Sequence, residues 1–217
     1  TIQQSLLRNL DVTDAALLSQ ARLSRDVAQQ LFSIRTVPFG SLTERLYRIL
    51  RGTARELNKR ANLEMGGAQT ELDRSVLEKL VGPLEHLLRN SLDHGIERRE
   101  VRKKAGKSET GEITLTVRQV GNEIAIELID DGAGLDLERI RAKAIAQGRF
   151  KADDKPSDEM LIACIFEPGF STASKVTQVS GRGIGMDVVR AQIEELVGRI
   201  EVSTRPGKGT TCMLYLP

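Results

Sequence analysis

Four polar residues, His86, Asn90, Asp93 and Glu97, recur at spacings of three and four, which puts them in one row along a helix. An asparagine amide oxygen can ligate a metal, and a neutral imidazole one turn before it can accept a proton. The row carries no lysine, unlike an ordinary solvated face. Val81, Leu84, Leu88 and Leu92 take the same spacing on the other side and form an apolar stripe fit to meet a core. Taken alone, the stretch Leu84–Gly95 reads equally as a surface helix that happens to hold two histidines.

Three glycine clusters follow this helix: Asp130-Asp131-Gly132-Ala133-Gly134, Gly181-Arg182-Gly183-Ile184-Gly185 and Gly207-Lys208-Gly209-Thr210. An aspartate at a strand end can accept a hydrogen bond from a purine amino group, and Gly132 and Gly134 let backbone approach the ring. Gly181, Gly183 and Gly185, opening a helix at Met186, offer N–H groups and a positive helix end to phosphates. Asn90 is placed to hold Mg2+ against those phosphates. Any one cluster alone is simply a turn; all three in this order suit a nucleotide pocket. The second is neither a dinucleotide fingerprint, having no β-branched strand before it, nor a P-loop, having no closing Gly-Lys-Ser/Thr.

The elements that position these residues belong to a chain of 217 residues, 40% hydrophobic and 29% charged, a globular balance with length for one domain and a small appendage. A net charge of +2 implies no general attraction to nucleic acid or membranes. Aromatics at 3%, with no tryptophan, argue against stacking on single-stranded nucleic acid. No apolar run suits a membrane span, and Cys164 and Cys212 read as reduced cytosolic thiols. A start at Thr1-Ile2-Gln3 suggests a piece of something longer.

Residues 1–36 hold no glycine or proline, and Ile2, Leu6, Leu10, Leu17, Ala21, Ala28, Leu31 and Ile34 predict a long amphipathic helix in need of a partner. Thr36–Gly40 is expected as the hinge to a domain spanning 37–217. Ser41 with Glu44 predicts a capped helix to about Lys59, whose Arg45, Arg48, Arg51 and Arg55 form a solvated basic face. A strand over Asn62–Met65, a helix starting at Asp73, and an exposed helical turn and loop over Arg98–Gly106 follow. Alternation predicts strands through Ile113–Val117 and Ile124–Leu128 around a Gly121-Asn122 turn. Helices over Leu137–Gln147, Asp158–Phe166 and Met186–Val197 come next, with a lid-like run Gly169–Lys175 between the last two. Strands Arg199–Thr204 and Thr211–Leu216 close an α+β domain, helices on one face of a largely antiparallel sheet.

The boxes His86–Gly95, Asp130–Gly134, Phe166-Glu167-Pro168-Gly169-Phe170-Ser171-Thr172, Gly181–Val189 and Gly207–Thr210 resemble the gyrase/Hsp90/histidine-kinase/MutL ATP-binding family. More closely they resemble the catalytic core of the CheA-type chemotaxis histidine kinases. The run Lys175–Gly183 is similar to the kinases of type IV pilus or twitching systems, and Arg35–Phe39 to the junction after that family's dimerisation helices. The resemblance implies a two-layer α/β sandwich of the Bergerat type, with ATP and Mg2+ as ligands. It makes His86 a general base with Arg89 as a further catalytic residue, Asn90 the Mg2+ ligand, and Asp93 and His94 parts of the nucleotide helix. It makes Asp130 the adenine reader, Lys143 a phosphate contact, Ser171 part of the lid, Gly183, Gly185 and Met186 the lid hinge and nucleotide wall, and Thr210 a lining residue at the adenine end.

The only histidines are His86 and His94, so the N-terminal helix carries no phosphoacceptor. The histidine to be phosphorylated is therefore expected on a separate phosphotransfer domain. A downstream response regulator, a coupling protein with its receptor array, a cytoplasmic setting and a homodimer through 1–36 are the remaining implications. Against the full family pattern, the phosphotransfer domain, the coupling domain and one of two dimerisation helices are missing from these residues. The rival readings are a water-activating ATPase, whose relatives carry glutamate at the place of His86, and a nucleotide-gated scaffold.

Overall fold

A computed structural model of the chain describes residues 19, 20, 23, 24, 35–170 and 185–217. The expected N-terminal arm and the lid, with Ser171, Gly181 and Gly183, therefore lie almost wholly outside the described residues.

Strand β1 (Thr36–Pro38) pairs antiparallel with β3 (Glu71–Asp73), and a 3-10 turn, Phe39–Leu42, leads into α1 (Thr43–Glu56). The segment expected as a hinge is thus built into the domain, and Phe39 is fully buried. The capping box expected at Ser41 does not form: Leu42 holds the cap position with no side-chain bond, because the 3-10 turn already supplies a hydrogen-bonded entry. Strand β2 (Ala61–Gly66) ends at Gly67, whose φ of +71° takes the chain into the turn before β3. Helix α2 (Arg74–Asn90) begins at Asp73, as the sequence indicates, with the carboxylate accepting the Ser75 N–H at 2.8 Å.

After the π-turn Ser91–Gly95 and the short α3 (Arg99–Lys104) come β4 (Gly111–Val120) and β5 (Glu123–Asp130). Helices α4 (Leu137–Ala146), α5 (Asp158–Cys164) and α6 (Met186–Glu194) precede the closing hairpin of β6 (Arg199–Arg205) and β7 (Gly209–Leu216). The main sheet runs β2-β4-β5-β7-β6, with only β2 and β4 parallel. Alternation sends Ile113, Leu115 and Val117 of β4, Ile126 and Leu128 of β5, and Cys212, Leu214 and Leu216 of β7 toward the helices. They bury against Leu46 and Leu50 of α1, Leu77, Leu80, Leu84 and Leu88 of α2, and Val189 and Ile193 of α6. The expected sandwich of one helical layer on a largely antiparallel sheet is observed. Both cysteines are buried free thiols. A second small core joins Ile140 and Ala144 of α4 to Leu161 and Cys164 of α5 and to Phe170.

Helix α6 stops three residues before the expected Val197. That residue sits at φ +58° with 82% of its surface exposed, in the left-handed position that ends helices and favours glycine. A β-branched side chain there strains the backbone and packs nothing. Val197→Gly is expected to stabilise the domain by about 1 kcal/mol, read as a higher thermal midpoint; a lower midpoint contradicts the assignment of strain.

Candidate functional site

Two helix ends and two strand ends meet beside the C-terminus of α2. Asn90, the last residue of α2, donates its Nδ2 to the Sδ of Met186, the first of α6, at 3.3 Å. Both donors of a side-chain amide lie on its nitrogen, so that contact leaves the acceptor Oδ1 for another ligand. His86, one turn earlier, is half-buried, and burial holds its imidazole down to about 4; Arg89 and His94 push the same way and Asp187 opposes. The ring is therefore neutral near pH 7 and able to accept a proton.

The α-helix does not continue through Gly95. Ile96 N–H reaches back five residues to Ser91 O at 2.6 Å, the mark of a π-turn. The expected row is broken there: Asp93 and His94 stand exposed, 3.7 Å apart, and Glu97 turns away toward Arg102 and Lys107. Lys59 fastens this turn, donating to Leu92 O at 2.7 Å and Asp93 O at 2.6 Å.

The turn packs on the end of β5. Asp130 is buried, and its Oδ1 accepts the N–H groups of Gly132 at 3.0 Å and Thr210 at 3.3 Å, with the Ser91 side chain adding a further bond. Burial pushes the Asp130 carboxyl above the ordinary range, and those donors only partly offset it. Glycine is required around it by space. A Cβ on Gly132 would come within 2.2 Å of Gly95 O, and one on Gly209 within 1.7 Å of Asp130 O. Gly134, at φ +81°, backs onto the end of β6, where a Cβ would lie 2.8 Å from Arg205 O.

Of the predicted residues, the structure gathers Asn90 with Met186, and Asp130 with Gly132 and Thr210. Gly185 caps α6 in extended conformation. Lys143 is carried by α4, its Nζ 5.5 Å from the centre of the Phe170 ring. A 590 Å³ cleft lined by Asp136, Arg141, Lys155, Asp158 and neighbours shares only Gly134 with the predicted set. Arg102 is a residue that sequence reasoning missed. In the segment expected to be exposed it is fully buried, with its guanidinium on Glu97 and Asp131. Only Glu97, an acid in an otherwise functional row, hinted at such a partner among several equivalent cations.

Residues 80–217 match the model of the histidine kinase-, DNA gyrase B- and HSP90-like ATPase family, and the chain belongs to that family. Within it, the chain is 48% identical to the Chemotaxis protein CheA of Klebsiella aerogenes over 100% of its own length and 34% of that protein's. It is 45% identical to the Chemotaxis protein CheA of Borreliella burgdorferi over 98% of its length and 24% of that protein's. It thus spans a quarter to a third of the length of these relatives. Among solved structures, the catalytic domain of histidine kinase ThkA aligns over 84% of this chain and 93% of that one, with a TM-score of 0.49 and 16% identity.

The burial of His86 has a sign that can be checked. The folded state resists the proton that the unfolded chain binds near pH 6.5, so stability is lost as pH falls from 6.5 toward 4. NMR titration of the His86 ring is expected to give a midpoint near 4, and His86→Gln to flatten that part of the stability profile. A midpoint at or above 6.5 contradicts the buried, neutral ring.

Proposed function

We propose that this domain is the ATP-binding core of a chemotaxis-type histidine kinase, passing the γ-phosphoryl group of ATP to a histidine on a separate phosphotransfer domain. The observation that carries the proposal is the buried Asp130 carboxylate, braced by backbone N–H groups at the strand end beside Asn90 and Met186, in a chain of this ATPase family. Asp130 would accept the adenine amino group, with Gly132 and Thr210 at its side. Lys143, Ser171, Gly181, Gly183 and Gly185 would serve the phosphates and Met186 the wall, while Asp93 and His94 would flank them from the π-turn.

The donor set fits Mg2+. Among the described residues no group of three or more His, Cys, Asp and Glu side chains gathers as an all-protein metal cage. Asn90 Oδ1, which the Nδ2 contact with Met186 does not occupy, would give one neutral oxygen to an ion carried mainly by phosphates and waters. Mg2+ would offset the charge of the phosphate oxygens. His86, neutral near pH 7, would orient or deprotonate the acceptor imidazole, and Arg89, on the same helix, would face the developing charge.

The kinase reading is favoured over a water-activating ATPase because the place of that family's glutamate holds His86. It is favoured over a scaffold because Asn90, Asp130 and the glycine boxes are intact. With His86 and His94 the only histidines, the acceptor has to come from outside this sequence, which makes transfer to another domain or chain part of the proposal. A response regulator downstream, a coupling protein with its receptor array, a cytoplasmic setting and a dimer through residues 1–36 complete it. Among the described residues no helix is long and apolar enough to cross a membrane. The type IV pilus flavour rests on Lys175–Gly183 alone.

The test uses γ-labelled ATP, Mg2+, the protein and a separately made phosphotransfer domain. Acid-labile label is expected on that domain and none on this chain; free phosphate without labelled protein favours the ATPase. In the same assay His86→Gln is expected to keep ATP binding within about three-fold while transfer falls about 100-fold, the usual scale of acid–base catalysis. Equal loss of binding and transfer overturns the role of His86.

A further inference from the structure

Behind the Asp130 corner one ammonium has all three of its donors committed. Lys107 Nζ donates to Glu97 Oε1 at 2.8 Å, to Asp131 O at 2.7 Å and to Gly132 O at 2.7 Å. The two carbonyls belong to consecutive peptide units. Each unit is planar and trans, so fixing its C=O on one side aims its N–H on the other. The N–H opposite Asp131 O is that of Gly132, which donates to Asp130 Oδ1 at 3.0 Å. The N–H opposite Gly132 O is that of Ala133, which donates to Gly95 O at 2.9 Å. One lysine thus orients both peptides that join the glycine box to the buried carboxylate and to the π-turn.

The cluster is closed by Arg102. Its Nη2 meets Asp131 Oδ2 at 2.7 Å, its Nη1 meets Asp131 Oδ1 and Glu97 Oε2 at 3.0 Å each, and its Nε meets Ser108 O at 2.6 Å. Glycine has no side chain to hold its own peptide, so Gly132 depends on outside contacts for a single orientation. Nothing in this cluster carries out transfer chemistry.

We infer that Lys107, with Arg102, Glu97 and Asp131 behind it, is a positioning residue that sets affinity for the purine end of the nucleotide by fixing the Asp131–Gly132 and Gly132–Ala133 peptides against Asp130. The inference rests on the ATP reading above and names the residues that keep its base-recognising corner in register. It makes the purine and the phosphates separable: the cluster lies behind Asp130, whereas Asn90 and the start of α6 belong to a different pair of elements.

The experiment compares wild type and K107M, the full chain in each case, for binding of ATP and of inorganic tripolyphosphate, with thermal unfolding measured alongside. K107M is expected to weaken ATP binding about ten-fold, as loss of a charged hydrogen-bond donor does, with tripolyphosphate binding unchanged within two-fold. K107R keeps the charge but presents a planar fork in place of three radiating donors, and is expected to lose about three-fold. If K107M does not fold, K107R decides by the same comparison. Equal weakening of both ligands, or a lower unfolding temperature with ATP affinity unchanged, overturns the inference in favour of a plain structural brace. Absence of ATP binding by wild type instead removes the reading on which it rests.

Discussion

The corner proposed to read the base depends on keeping one carboxylate buried at the end of β5. Period-two alternation sends Ile126 and Leu128 into the core, and Asp130 is the next inward position, so the sheet itself delivers an acid to the helical layer. A lone buried carboxylate is costly. Here the cost is offset by N–H donors from Gly132 and Thr210, and those donors exist only because backbone comes close where side chains are missing. Gly95, Gly132 and Gly209 are therefore one packing device contributed by three separate segments.

The π-turn is the second half of that device. An α-helix continued past Asn90 would pair the Ile96 N–H with Leu92 O, four residues back. The wider turn instead brings Gly95 O onto the Ala133 N–H and releases the chain toward Ile96. Lys59 on one side and Lys107 with Arg102 on the other hold carbonyls of the turn and of the glycine box. The corner is thus framed by cations bound to backbone, around an acid, an amide and a thioether that are the proposed recognising groups.

Much of this was legible in the sequence, for identifiable reasons. The strands of the two hairpins were marked by alternation and lie where expected within three residues; α2 was marked by Asp73 and its leucine stripe, and starts where expected but stops at Asn90, short of Gly95. The resemblance assigned Asp130 and Thr210 to the same adenine end, and the structure joins them through the Thr210 N–H. The π-turn was not legible, because a single inserted residue leaves an amphipathic pattern nearly unchanged. Nor was the burial of Arg102, since side-chain type alone does not say which of several neighbouring cations finds two acids and three carbonyls. The β1–β3 ribbon was hidden because three-residue strands carry no period, and Ser41 misled because a capping signature is local and the 3-10 entry overrode it.

The most direct test of the account is whether Asp130 reads an exocyclic amino group. Binding of ATP and inosine triphosphate, which has a carbonyl where ATP has that amino group, should be measured for wild type and Asp130→Asn. The account predicts that wild type prefers ATP by about ten-fold or more and that the variant, whose amide offers a donor in place of one acceptor, loses or reverses the preference. Equal affinity of wild type for both nucleotides, or an unchanged preference in Asp130→Asn, would contradict it.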